Sequence, residues 1–143
     1  GYTIRVRSTD SGGLWVEGAF TILIENVNEK PTDISLSSTS LDEGLPVDTV
    51  VGSLSSVDPD EGNTFVYSLV AGAGDADNSS FNILSNKLRT SNVFDYETKN
   101  TYAIRVRSTD QDGLWVEKPF TILIADVDDK DDGNFIFLPL VTK

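Results

Sequence analysis

Hydrophobic and polar residues alternate along most of the chain, a pattern typical of β-strands that are exposed on one face. In one stretch Tyr102, Ile104 and Val106 fall on one side, while Arg105 and Arg107 fall on the other. No segment shows convincing helical periodicity. The predicted strands span residues 102–107 and 120–127, the second apolar on both sides, and, upstream, residues 33–37, 49–57, 65–70, 81–84 and 87–91.

The segments between these strands are rich in glycine, aspartate, asparagine and serine, which are the residues that favour turns. Examples are residues 58–62, 71–80 and 92–100. Seven short strands within about 100 residues, without an intervening helix, indicate an all-β protein. We predict a seven-stranded antiparallel Greek-key β-sandwich.

The chain contains a long internal repeat, because residues 2–30 return almost unchanged at residues 102–130. Such a fixed long period is typical of tandem domain arrays, so we expect a fragment of a longer array. The expected division is a hairpin at 1–25 from a truncated preceding repeat, a linker at 26–31, a complete repeat at 32–130 and a C-terminal tail at 131–143.

Composition limits the possible functions. The chain has 143 residues with 11 basic and 23 acidic side chains, a net charge of −12, and neither cysteine nor histidine. The charge disfavours nucleic acid and anionic lipid surfaces, and the missing residue types remove the usual zinc ligands and histidine-assisted nucleophiles. The apolar stretch 135–141 is too short to span a bilayer.

Acidic residues are concentrated in the loops and linkers. Two carboxylates one residue apart, as at Asp58 and Asp60, can converge on one point, where calcium would relieve their repulsion. A solvated turn explains any single pair more simply. A glycosidase-like acid–base pair at these two residues is a further alternative, but no other feature suggests a substrate cleft.

The ordered set of motifs resembles a cadherin repeat, and most closely the cadherin-like tandem repeats of bacterial surface adhesins. The resemblance covers residues 26–130 and implies calcium at each junction between domains. It is carried by the segments 39–50, Ser56-Val-Asp-Pro-Asp-Glu-Gly62, Asp95-Tyr-Glu97, Ser108-Thr-Asp110 and the linker Asn26-Val-Asn-Glu29.

The resemblance also implies which residues bind calcium. The C-terminal junction would use Glu43, Asp95 and Glu97 with Asp126 and Asp128 of the following linker. The N-terminal junction would use Asp58, Asp60 and Asp110 with Asn26 and Asn28 of the preceding linker. Asparagine stands at 26 and 28 where relatives carry aspartate, and Lys30 and Lys130 replace neutral residues, so weaker affinity is expected.

We therefore expect an extracellular or cell-surface module, not an enzyme, that acts as a calcium-stiffened spacer or adhesion domain. Expected partners are calcium, other copies of the chain or neighbouring repeats, and surface glycans or proteins, with no nucleic acid and no membrane insertion. An alternative is a carbohydrate- or protein-binding domain that uses Trp15 and Trp115, each on a hairpin, although packing explains these indoles more simply.

Overall fold

The computed structural model describes residues 1–128, so the expected tail at 131–143 and its apolar stretch lie outside the described residues. No helix within the described part is long and apolar enough to cross a membrane. Residues 1–128 form ten strands and one 3₁₀ turn at Asn78–Ser80. The strands are β1 (Tyr2–Thr9), β2 (Trp15–Ile22), β3 (Asp33–Leu36), β4 (Ser40–Asp42), β5 (Val50–Val57), β6 (Val66–Leu69), β7 (Phe81–Leu84), β8 (Lys87–Thr90), β9 (Thr101–Thr109) and β10 (Trp115–Ala125).

Strands β3 to β10 form two four-stranded sheets, in the orders β4-β10-β9-β6 and β3-β5-β8-β7. The predicted all-β sandwich is confirmed, with two differences of detail. The strand Ser40–Asp42 was not predicted, because three residues are too few to show an alternating pattern. It also pairs in parallel with β10, through Leu123 opposite Ser40, whereas all the other strand pairs described are antiparallel.

Both sheets contribute side chains to one hydrophobic core. Ile34, Leu54 and Leu88 come from one sheet and Ile104 and Ile122 from the other, and all are at most 1% exposed. Burying each such side chain contributes about 1.5–3 kcal/mol relative to leaving it in water. The core therefore lies entirely within residues 34–124.

Strand β10 is covered on one side only, although its sequence is apolar on both sides. Ile122 and Ile124 are 0% and 3% exposed, whereas Leu123 between them is 49% exposed. Successive side chains of a strand point to opposite faces, and only one face of this sheet meets the other sheet.

Strands β1 and β2 pair with each other in a separate two-stranded sheet. Their apolar side chains are exposed, including Ile4 (42%), Val6 (46%) and Phe20 (56%). We call residues 1–25 the N-terminal hairpin and the pair β9–β10 the core hairpin. The chain between the N-terminal hairpin and the sandwich passes through Pro31, which is fully buried.

Candidate metal sites at the two ends of the sandwich

The loop that carries Glu43 follows β4 and is held between two other segments. The Glu43 backbone N–H donates to the Ala125 carbonyl (3.1 Å), and the Gly44 N–H donates to the Phe94 carbonyl (2.9 Å). Gly44 has a φ of 70°, a left-handed conformation that glycine adopts without strain. Parallel pairing of β4 with β10 thus places Glu43 beside both the 94–98 loop and the end of β10.

The Glu43 carboxylate connects these two segments. Its Oε2 accepts a hydrogen bond from the Tyr96 backbone N–H (2.7 Å), and its Oε1 accepts one from the Val127 N–H (2.9 Å). Val127 lies between Asp126 and Asp128, both of which are exposed. The side chain therefore links the predicted C-terminal metal residues to the linker that follows them.

Asp95 lies in the same loop and is ordered by its own neighbours. Its Oδ2 accepts from the Thr98 hydroxyl (2.6 Å), and its Oδ1 accepts from the Glu97 N–H (3.1 Å). These bonds, chiefly that from Thr98, hold the pKa of the Asp95 carboxyl below its ordinary value despite partial desolvation. The residue is thus a carboxylate at neutral pH.

Glu43, Asp95 and Glu97 converge at the C-terminal end of the sandwich. One carboxylate oxygen from each lies within 4.8 Å of the others, and no other such group of three occurs within residues 1–128. Three carboxylates at this spacing, two of them exposed, form a donor set suited to a hard divalent cation such as calcium. The predicted residues Asp126 and Asp128 are not members of this group, although they flank the Val127 that contacts it.

The opposite end of the sandwich presents Asp60 to the linker. Its Oδ1 accepts a hydrogen bond from the Asn26 side-chain amide, and its Oδ2 accepts one from the Glu29 backbone N–H (2.7 Å). The bonds from Asn26 and then Glu29 hold the Asp60 pKa below its ordinary value. The linker therefore contacts this carboxylate through neutral N–H donors.

Asp110 directly follows β9 and likewise accepts hydrogen bonds from neutral N–H donors. Its Oδ1 accepts from the Asp112 and Leu114 backbone N–H groups (both 2.9 Å), and its Oδ2 accepts from the Asn28 amide (2.9 Å). Burial would raise the pKa of Asp110, which is 5% exposed, but the bonds from Asn28 and the backbone outweigh burial and lower it. A buried carboxylate is thereby kept ionised.

Asp58 is the predicted N-terminal metal residue whose carboxylate keeps one oxygen without a hydrogen-bond partner. Its Oδ1 accepts from the Asp60 N–H (2.9 Å), while its Oδ2 is buried and lacks a hydrogen-bond partner. Within residues 1–128 the only other buried side-chain atom in that condition is Asn63 Nδ2. A solitary buried carboxylate oxygen is the kind of group that a cation would satisfy. Asp58, Asp60 and Asp110 are nevertheless not brought together as a three-carboxylate group.

Several of the groups that organise both ends were missed by sequence reasoning. They are the backbone N–H groups of Tyr96, Val127 and Glu29, each bonded to a predicted metal residue. A backbone donor has no residue-type signature, so no sequence pattern could reveal it. Only the positions of the loops show these contacts.

The two indoles occupy equivalent exposed positions, with Trp15 57% and Trp115 48% exposed. Arg107 lies 4.3 Å from the ring centroid of Trp115, and Arg7 lies 4.2 Å from that of Trp15. These arginines are paired with cross-strand acids: Glu117, for example, accepts from Arg107 (2.7 Å). The cation–π contacts leave part of each ring open to solvent.

Comparison with known protein families yields one match to the middle of the chain. The family model of the cadherin domain matches residues 37–125. Among curated proteins, mouse Protocadherin Fat 2 is 29% identical over 136 residues, and Drosophila melanogaster Neural-cadherin is 30% identical over 114 residues. These alignments cover 90% and 76% of this chain but only 3% and 4% of the relatives' own lengths.

Solved structures with the same fold include the extracellular domain of Protocadherin GammaB4, with 28% identity and a TM-score of 0.64 over 90% of this chain and 21% of that chain. A second is human Protocadherin-24 EC1-2, form II. It has 25% identity and a TM-score of 0.66 over 88% of this chain and 67% of that chain.

Proposed function

The chain belongs to the cadherin family, and from that premise we propose that it is a calcium-binding module of an extracellular or cell-surface protein. Cadherin domains are extracellular adhesion modules, not enzymes, and they bind calcium in general. The finer proposal is that this chain acts as a spacer or adhesion domain that calcium stiffens at the domain junctions.

The convergence of Glu43, Asp95 and Glu97 within 4.8 Å is the observation that most supports calcium binding. At neutral pH such carboxylates repel one another, and calcium accepts six to eight oxygen ligands without demanding rigid geometry. We propose that these residues hold calcium together with Asp126 and Asp128. The buried, unpartnered Oδ2 of Asp58 supports a further, weaker contact at the other end with Asp60, Asp110, Asn26 and Asn28.

We further propose that residues 1–25 are the terminal hairpin of a preceding repeat, 26–31 the linker, 32–130 the complete repeat and 131–143 a tail. The confinement of the core to residues 34–124 supports this division. So does the exposed apolar face of the N-terminal hairpin, which resembles a surface that a domain body covers.

Self-association is the proposed consequence of that exposed face. Contact with another copy of the chain, or with a neighbouring repeat, would remove Ile4, Val6 and Phe20 from water. A solved relative, 22% identical, is described as a protocadherin gammaB7 EC3-6 cis-dimer. The relatives named above are animal cadherins and protocadherins, and none of them supports the bacterial adhesin subclass expected from the motifs.

Calcium titration with thermal unfolding tests the proposal. For an extracellular module we expect a dissociation constant of roughly 10⁻⁴–10⁻³ M. At 100 times that concentration, linkage stabilises the fold by about 2.7 kcal/mol per site. Magnesium should substitute poorly, because it requires a smaller, near-octahedral site. The same melting temperature in chelator and in saturating calcium would contradict the proposal.

A pair of variants distinguishes a proposed calcium ligand from a surface carboxylate outside the two junctions. Glu97→Gln removes one proposed ligand and should weaken calcium binding without unfolding the sandwich. Asp48→Asn is the matched control, because Asp48 pairs with Arg89 (3.3 Å) outside both junctions and its φ of 68° suits asparagine. Equal calcium affinity in the two variants would exclude Glu97 as a ligand.

A second candidate function, recognition of a surface glycan or protein, is favoured by the exposure of Trp15 and Trp115. Aromatic faces beside guanidinium groups suit stacking on a sugar or an interface side chain. Binding to a glycan array that is lost in Trp115→Ala but kept in Glu97→Gln would support this function over the first.

A further inference from the structure

We propose that the two junctions differ in their need for metal. The linker at 26–30 is held on the sandwich by amide hydrogen bonds and stays in place without calcium, whereas the linker at 126–128 needs calcium to dock. The second half of this statement rests on the proposed function. The first half stands on contacts within the chain.

The linker at 26–30 contacts the sandwich through three N–H donors. The Asn26 amide and the Glu29 backbone N–H each bond one oxygen of Asp60, and the Asn28 amide bonds Asp110. Hydrogen bonds between neutral donors and ionised carboxylates are about twice as strong as neutral pairs. These N–H donors therefore stabilise each carboxylate without an ion.

The same linker is also anchored next to these bonds. Pro31 is fully buried, and the Thr32 N–H donates to the Val57 carbonyl (2.8 Å). A buried proline has a fixed φ and little freedom to lose, so the chain before it leaves the sandwich in a restricted direction. The restricted backbone at Pro31 therefore helps to hold the asparagine side chains near their acceptors.

The carboxylates that contact this linker already have neutral partners. Both oxygens of Asp60 and both oxygens of Asp110 already accept hydrogen bonds. Asp58 Oδ2 is the remaining buried oxygen without a partner. The two asparagines of the linker add no negative charge that would hold a cation beside that oxygen.

The linker at the other junction carries carboxylates where the first linker carries neutral amides. At the positions equivalent to Asn26 and Asn28 the repeat carries Asp126 and Asp128, which add negative charge on either side of Val127, whose N–H contacts Glu43. A carboxylate cannot donate a hydrogen bond to another ionised carboxylate. The linker contact described at this end is the Val127 N–H on Glu43. Docking here must overcome repulsion that the asparagines avoid.

Two backbone amides report directly on the two junctions. The Glu29 N–H bonds Asp60 at the first, and the Val127 N–H bonds Glu43 at the second. We would measure their hydrogen exchange by NMR in the full chain, in chelator and in saturating calcium. Glu29 should be protected equally in both conditions. Val127 should exchange about tenfold faster or more in chelator, because that factor corresponds to the loss of one hydrogen bond to a charged acceptor.

The two possible failures have different signatures. A Glu29 amide that loses protection in chelator overturns the metal-free junction, even if calcium binds. If the exchange rate of the Val127 amide does not change with calcium, and calcium does not stabilise the fold, the proposed function is overturned. The difference between the two junctions that depends on it is then overturned as well. Protection of Glu29 would then still support the amide contacts as such.

Reciprocal variants test whether the linker side chains at these positions cause the difference between the two junctions. Asn26→Asp with Asn28→Asp should make Glu29 protection calcium-dependent, with exchange in chelator faster by about tenfold. Asp126→Asn with Asp128→Asn should reduce the calcium dependence of Val127. A melting temperature in chelator that does not fall in either variant confirms that the sandwich is intact. If the first pair leaves Glu29 protected in chelator, the amide side chains are not what holds the linker.

Discussion

The N-terminal hairpin and the core hairpin have nearly the same sequence and opposite environments. Eighteen of the 24 positions between 2 and 25 are identical to their counterparts at 102–125. Ile4 and Ile22 are 42% and 45% exposed, whereas Ile104 and Ile122 are both fully buried. The same amino acids therefore lie in water in one hairpin and in the core in the other.

The local structures of the two hairpins agree closely. Tyr2 pairs with Ile22 as Tyr102 pairs with Ile122, so the register is the same. In both turns an aspartate Oδ1 accepts from a leucine N–H at 2.9 Å, and a glycine of positive φ directly precedes that leucine. Strand pairing and turn chemistry are thus properties of the sequence alone.

The difference lies in the neighbours. The core hairpin pairs with β6 along one edge and β4 along the other, and its apolar face meets the opposite sheet. Within residues 1–128 the N-terminal hairpin has no third strand. An isolated two-stranded hairpin is marginally stable in water, so the comparison separates what a hairpin sequence encodes from what a sandwich supplies.

The largest expected effect comes from truncating the equivalent isoleucines. Ile104→Ala should lower the free energy of unfolding by about 2–5 kcal/mol, because it leaves a cavity in a fully buried site. Ile4→Ala should change it by less than about 0.5 kcal/mol, as for an exposed site. Denaturant unfolding of the full chain, at a concentration low enough to keep it monomeric, measures both. Similar losses would mean that the N-terminal hairpin is covered in solution.

A smaller effect is expected for the equivalent serines. Ser108 is fully buried, and its hydroxyl lies 2.6 Å from that of Ser56, which also bonds Tyr67. Ser108→Ala should cost about 1 kcal/mol, the usual contribution of one hydrogen bond. Ser8→Ala, at an exposed position, serves as the control and should leave the unfolding free energy unchanged.

Stability at acid pH should depend on Asp110, the turn aspartate of the core hairpin. The pKa of Asp110 is lowered in the folded protein, so its contribution is present above the unfolded value of about 3.9 and is lost as pH falls through the lower folded value. Asp110→Asn should therefore flatten the acid limb of a plot of melting temperature against pH. Asp10→Asn makes the same substitution in the N-terminal hairpin, outside the sandwich, and serves as its control. An acid limb that stays as steep in Asp110→Asn as in the unsubstituted chain would contradict the assignment.

The smallest effect is expected for the indoles. Trp115→Ala removes the contact with Arg107 and should cost about 0.5–1 kcal/mol, the usual strength of an exposed cation–π pair. Trp15→Ala removes the equivalent contact with Arg7 but should not change unfolding of the sandwich. Chemical denaturation of both variants measures the difference, and a loss above that range for Trp115 would indicate packing as its main role.

The features that sequence could predict were the local ones. Alternation placed most strands within one or two residues, and the acidic motifs singled out Glu43, Asp95 and Glu97, which the fold brings together. The strand at Ser40–Asp42 escaped prediction because it forms only by parallel pairing with β10, far away in the chain. The backbone donors on Glu43 and Asp60 escaped for the same reason.

The sequence by itself determined the strands, their register in hairpins and the turn bonds, because these depend on residues a few positions apart. Burial was decided only by the tertiary structure. Leu123 is exposed between two buried isoleucines, and Ile4 is exposed where Ile104 is buried. The physical reason is that hydrophobic stabilisation depends on the area removed from water, which requires a partner surface that no single hairpin carries.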